Sequence, residues 1–232
     1  MSYLNKNSKY WNSGYKGTAA NVESVIFRLQ GKILKPQFDL PKKNDVCLDF
    51  GCGQGASVNY FNQMGYDAFG VDISEKDIKI AKKRYPHIKE KFSVCKQDVF
   101  ENDLKKFTKN KKISLITCQQ SLYFFDKKHF NLLLNNMNRS LKNKGILFAS
   151  MKSEKHTYKK YSKDTKHKWL KVLNWKNKRF SIKDYYFFFT KSIQDLKSKF
   201  KIFRIIHTGS YHLSLDPSET NNYHYTIICQ KK

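Results

Sequence analysis

Residues 46–56, reading VCLDFGCGQGA, constrain this chain more than any other stretch. An apolar run ends in an acid, and glycines follow at alternate positions. Val58, Phe61 and Met64 then fall on one face of a helix that Gly65 stops. The order this dictates is strand, tight glycine turn, helix. Without Cβ atoms the backbone turns sharply and a ligand can lie against it. Two kinds of ligand use such a turn. A pyrophosphate on a helix N-terminus goes with G-x-G-x-x-G/A, a pattern met by Gly51, Gly53 and Ala56. Asp49 points the other way. A carboxylate at the strand end repels a pyrophosphate, although the helix N-terminus attracts one, and it suits a cation.

The run from Asp49 to Gly55 resembles the first motif, D-x-G-x-G-x-G, of the class I S-adenosylmethionine (SAM)-dependent methyltransferases, whose donor carries a sulfonium and an ammonium group. Residues 70–74 resemble the family's second-strand motif, whose acid holds the ribose hydroxyls; here it is Asp72, 23 residues after Asp49, with Ile73 beside it. Residues 97–99 resemble the motif after the third strand. Its acid, here Asp98, faces the adenine amino group, and the N–H of Val99 can donate to a ring nitrogen. The resemblance covers about residues 45–150 and implies an α/β, Rossmann-like fold. In that fold seven mostly parallel strands, with an antiparallel last strand, carry helices on both faces. It places Asp49, Gly51, Cys52, Gly53, Gly55, Asp72, Ile73, Asp98, Val99 and Gln119 at the cofactor, with S-adenosylhomocysteine (SAH) as product and no metal.

The flanks follow from pattern and composition. Residues 1–45 form an aromatic and helical segment ahead of the methyltransferase domain at 46–232. Tyr3, Tyr10, Trp11 and Tyr15 lie among polar residues and suit a lid over the cofactor or packing on the domain surface. Val22, Val25, Ile26 and Leu29 predict a helix over 21–32 that Pro36 and Pro41 break. Strands are predicted at 67–71, 92–96, 113–117 and 145–150, and a last pair at 203–207 and 223–229. Thr190 is expected to cap a short helix ahead of that pair, bearing Ile193, Leu196 and Phe200. Residues 152–183 differ in composition, with twelve Lys or Arg, two acids, and Tyr158, Tyr161, Trp169, Trp175 and Phe180 interleaved. In methyltransferases of this type a substrate-recognition insert often follows the fifth strand. Basic residues between aromatic rings also suit single-stranded nucleic acid.

The formal net charge of +26 draws anions such as nucleic acid or phosphorylated metabolites. Five of the 45 basic residues are Arg, leaving forty Lys. Lys offers a point charge rather than the planar fork of Arg, and a Lys- and Asn-rich composition also fits an AT-rich, bacterial-type genome. The five cysteines are odd in number and form no C-x-x-C pair, which predicts reduced, buried thiols in a cytoplasmic protein. No stretch approaches the ~20 apolar residues of a membrane span.

The expected activity is methyl transfer to a small, anionic acceptor, at a hydroxyl of a sugar, sugar nucleotide or other phosphorylated metabolite. The absence of an N/D-P-P-Y tetrapeptide argues against exocyclic amines of bases. RNA is the alternative acceptor, and a SAM-binding protein without transferase activity is the third. A hydroxyl acceptor needs a base, for which His156 and His212 are candidates by position.

Overall fold

A computed structural model describes residues 3–12, 24–100, 103–167, 169–176, 181–212 and 222–232. Among them, seven strands form the main sheet in the order β3-β2-β1-β4-β5-β10-β9. They are β1 (Val46–Phe50), β2 (Asp67–Asp72), β3 (Phe92–Val94), β4 (Ile113–Cys118), β5 (Leu141–Lys152), β9 (Arg204–Tyr211) and β10 (His224–Gln230). The first five pair in parallel, and β10 runs antiparallel to both of its neighbours. The strand order reverses between β1 and β4. In an open α/β sheet that switch point opens a crevice at the carboxyl ends of the strands.

Period-two alternation sends neighbouring side chains to two cores. Val46, Leu48 and Phe50 of β1 face one core, with Phe130, Leu133, Leu134 and Met137 of helix α6 (Lys127–Ser140). Cys47 faces the other, with Val58 and Phe61 of α4 (Ala56–Gln63) and Ile78 and Ala81 of α5 (Glu75–Arg84). All five cysteines are buried and free.

Several boundaries differ from the sequence expectation. After α2 (Ser24–Arg28) the chain does not stop at Pro36. It passes through a π-helical turn (Leu29–Leu34) into α3 (Lys35–Phe38), where Pro36 occupies the first turn, the position a proline suits best. The helix α8 (Ile193–Lys199) is capped by Ser192, whose Oγ accepts from the Asp195 N–H at 3.1 Å, and not by Thr190. Thr190 instead forms a bridge to Ser153. That bridge closes the base of the insert, which folds into its own antiparallel sheet of β6 (Ser162–Asp164), β7 (Lys171–Lys176) and β8 (Ser181–Phe187). The expected boundary at 183 falls inside β8.

The N-terminal segment is less polar in place than its sequence implies. Helix α1 (Tyr3–Asn12) buries Tyr3 and Leu4 in the main core. Asn7 bonds the Tyr186 backbone at both groups, donating to its carbonyl at 2.8 Å and accepting from its N–H at 2.9 Å. One side chain thereby covers part of the edge that β8 would otherwise expose. The side chains of Tyr10, Trp11 and Trp175, and Tyr15 and Phe180 altogether, lie outside the described residues. Among the described residues, no helix is long and apolar enough to cross a membrane.

Candidate functional site

The turn after β1 is held to the next strand by its own backbone. The N–H groups of Gly51 and Cys52 both donate to the Val71 carbonyl, at 2.8 and 3.0 Å. Gly55 closes the turn by donating to the Cys52 carbonyl and sits at the N-cap of α4. Cys52 is buried and its thiol faces the Gly53 carbonyl. Gly53 differs from its neighbours, because a Cβ placed on it would meet nothing within 4 Å. The space beside its backbone is open, as a ligand lying across the turn requires.

Two carboxylates flank that space. Asp49, 4% exposed, stands at the end of β1 and accepts from Thr117 Oγ at 2.7 Å, across the switch point. Asp72 ends β2 and accepts from the Gly53 N–H and the Ser74 N–H, each at 2.8 Å. It is not the cap of α5, since the Ser74 Oγ accepts from the Asp77 N–H in that role. Burial pushes the Asp72 carboxyl up to about 6, against the lowering effect of the Ser74, Gly53 and Ile73 backbone N–H groups. Each of its oxygens keeps a second lone pair for a diol. Ile73 follows, half-buried.

The third motif is folded more tightly than expected. Residues Gln97–Phe100 form a 3-10 turn in which the Val99 N–H already donates to the Lys96 carbonyl at 3.3 Å, and the Val99 side chain is buried. The side chain of Asp98 lies outside the described residues.

At the end of β4, Gln119 is half-buried, and the Gln120 N–H donates to Ser150 Oγ on β5 at 2.9 Å. The two histidine candidates fall in different surroundings. His212 is exposed and stacks on Tyr223 at 5.8 Å. His156 is buried against Lys152, the last residue of β5. Its Nδ1 accepts from the Tyr158 N–H at 3.0 Å and its Nε2 meets Asn222 Oδ1 at 2.9 Å. Burial, with Lys152 second, holds its pKa down at about 3. With Nδ1 engaged by a backbone donor and Nε2 carrying the proton, His156 has no free lone pair. Sequence reasoning passed over Lys152 and His224. Their signal was positional, since both stand at strand ends on the crevice side of the sheet.

Asp72 carries a measurable prediction. Charge-assisted hydrogen bonds are worth ~1.5–3 kcal/mol each and ~1.4 kcal/mol is a decade in affinity. Asp72→Ala is therefore expected to weaken SAM binding at least about tenfold by calorimetry. Ribose hydroxyls donate, so they need the ionised carboxylate. Affinity of the unmodified protein should therefore fall as the pH drops below about 6, the pKa of this carboxyl. The Asp72→Asn protein, weaker throughout, should show no such slope. A slope that survives in the Asn variant would assign the titration elsewhere.

Comparison with known proteins agrees with this geometry. The model of a family described as a methyltransferase domain matches residues 48–149, from the glycine turn to β5. A 113-residue segment is 25% identical to the mRNA cap guanine-N(7) methyltransferase of Schizosaccharomyces pombe, covering 46% of this chain and 31% of that protein. A 114-residue segment is 29% identical to the ubiquinone biosynthesis O-methyltransferase of Pelagibacter ubique, covering 48% of this chain and 44% of that protein. Each match thus spans less than half of the curated relative. The fold is similar to a SAM-dependent methyltransferase from Anabaena variabilis, with a TM-score of 0.67, 15% identity, and coverage of 100% of this chain and 96% of that one. Turn, acids, switch point and family match converge on one reading: residues 48–149 are similar to a methyltransferase domain, and they are carried on a Rossmann-like sheet.

Proposed function

We propose that this chain transfers a methyl group to a hydroxyl of a small-molecule acceptor bound beneath the three-stranded insert. The donor brings an activated methyl carbon on a sulfonium, so the protein's task is alignment, an effect that can supply ~7–11 kcal/mol. Asp49 would meet the donor's cationic end, Asp72 its ribose, and the open face of Gly53 its length.

The observation that carries the acceptor class is the fate of the insert's aromatic residues. On a single-strand-binding surface the rings would face outward to stack on bases. Here Tyr185 and Phe187 are buried and Trp169 packs on Phe188 at 4.7 Å, while Tyr161 is exposed. Phe124, from the turn after β4, meets Tyr185 at 5.2 Å. The insert is thus tied down over the carboxyl ends of the strands, which supports an enclosed acceptor rather than a polymer. The chain's charge suits an anionic one, such as a sugar nucleotide or another phosphorylated metabolite. Five free thiols fit a reducing, cytoplasmic setting.

RNA is the second reading, favoured by the net charge of +26 and the segment similar to a cap methyltransferase. Labelled SAM incubated with an extract of the source organism separates the two. Label should appear in the small-molecule fraction and survive nuclease. Nuclease-sensitive label, with binding that falls steeply as salt rises, would overturn the small-molecule proposal.

A further inference from the structure

Beyond the cofactor motifs, a row of buried polar groups crosses the sheet at its crevice end. Lys152 of β5 pairs directly with His224 of β10, which pairs with Tyr211 of β9. Residues directly opposite in an antiparallel ladder share a face. Lys152 is 3% exposed and His224 0%. The Tyr211 ring stacks on His224 at 5.3 Å, and its hydroxyl accepts from Gln120 Nε2 at 3.2 Å. The row therefore continues to the end of β4, where acceptor and donor must meet.

The proton inventory of this row is set by its backbone partners. The Tyr158 N–H can only donate, so His156 Nδ1 is an acceptor and the ring proton is on Nε2. That N–H points at Asn222 Oδ1 and at Lys152 Nζ, 3.2 Å away. An ammonium has three donors and no acceptor, so it would meet this N–H head-on; an amine offers it a lone pair. His224 is fixed in the opposite sense. Its Nδ1 faces the Asn222 carbonyl at 3.2 Å and so carries the proton, which leaves Nε2 a buried lone pair with no donor. Lys152 Nζ and the His224 ring thus sit side by side in one buried corner, facing each other across the β5–β10 pair. The groups facing Lys152 are Tyr123 after β4, His156 and Tyr158 after β5, Phe187 of β8 and His224 of β10. Among the described residues, no carboxylate forms an ion pair with Lys152.

We infer that Lys152 is held as a neutral amine that accepts the proton of the acceptor hydroxyl, with the lone pair of His224 Nε2 beside it to orient that hydroxyl. This rests on the proposal of oxygen methylation made above. The O–H bond breaks, the oxygen keeps the electron pair that forms its bond to carbon, and the proton is held on Nζ. The positive charge that disappears from the donor is then carried by Lys152. Rings of Tyr158, Tyr123 and Phe187 lie 4.6, 4.9 and 5.6 Å from Nζ, and their faces favour the ammonium as it forms. The rings favour the ammonium as it forms, which is the differential that accelerates a step, while the His156 N–H keeps the amine neutral beforehand and is left to Asn222 Oδ1 as the proton arrives on Nζ. The burial that excludes a resident counter-ion also draws the lysine's pKa down to about 7, where a base works at neutral pH.

The first test needs no acceptor. Lysine side-chain 13C and 15N shifts are followed against pH on the SAH-bound protein. One of the forty lysines should titrate near neutrality, and its signal should be absent from Lys152→Met. If every lysine titrates in its ordinary alkaline range, the inference fails. The second test uses the labelled-methyl assay. Lys152→Met and Lys152→Arg should each lower transfer at neutral pH by about 100-fold, the lower end for a lost general base. SAH affinity should be unchanged in both. Arg keeps the charge and cannot give it up, so activity in the Arg variant would show that a cation suffices and overturn the inference. Full activity in the Met variant would do the same. Failure of the unmodified protein to label any fraction would count against the oxygen-methylation proposal and leave the titration to judge Lys152.

Discussion

Gly55→Ala should cripple the fold, whereas Gly53→Ala should fold and lose its cofactor. Gly55 has φ +85, and a Cβ there would lie 2.6 Å from the Phe92 ring, which is itself buried. A left-handed residue other than glycine costs ~1–2 kcal/mol, and overpacking a core adds ~1–3. Together they remove ~2–5 kcal/mol from a stability of the order of ~5–15. At ~2–4 °C per kcal/mol for a chain of this size, the midpoint should fall by about 10 °C. Gly53 has φ +51 and open space at its Cβ, so only the backbone term applies. Its methyl would stand where the donor crosses the turn. Overpacking of ~1–3 kcal/mol in that cleft corresponds to a loss of ~5–150-fold in SAM affinity. Thermal melts and calorimetry on the two variants give the result. Equal melting losses with equal affinity losses would mean that Gly53 does not face the donor.

The two glycines also show how far the sequence could be read. The strand, turn and helix from Val46 to Gln63 were legible because each local preference agrees with the fold: an apolar run, glycines where φ must be positive, then helical spacing. Asp72 was legible from the likeness of residues 70–74 to the second-strand motif, and it does end a buried run. That the three glycines do different work was not legible, since Phe92 approaches Gly55 from a distant strand. Pro36 misled for a related reason. A proline reads as a break, but it serves equally as the start of a further helical turn, and only the preceding π turn distinguishes the two. Which way the rings of the insert point could not be read from composition. Tyr185 and Phe187 of β8 join the main core, through strands that pair across segments sequence periodicity does not connect. Lys152 was hidden in a run of lysines and is set apart only by what packs on it. Pairing across β5 and β10 creates the buried row, and no local pattern announces it.

Asp49→Asn should cost the protein its donor while leaving the fold intact or firmer. The carboxylate is 4% exposed and its Oδ1 accepts from Thr117 Oγ at 2.7 Å. An amide oxygen keeps that bond, and a neutral group escapes the desolvation that a buried charge carries. The melting midpoint should therefore hold or rise. Binding should move the other way, because a unit charge at ~4 Å contributes ~4 kcal/mol at an effective dielectric near 20. Part of that is already spent in the free state on Thr117, so a loss of about 100-fold, ~2.7 kcal/mol, is expected. The choice of ligand identifies which positive group the acid meets. SAM carries both an ammonium and a sulfonium, and SAH only the ammonium. An ammonium offers N–H donors to the carboxylate and a sulfonium offers none, so Asp49 should prefer the ammonium. SAM and SAH should then lose affinity by the same factor. A loss confined to SAM would place Asp49 against the reacting sulfur, and its role would shift from anchoring the donor's tail to stabilising the charge that methyl transfer removes.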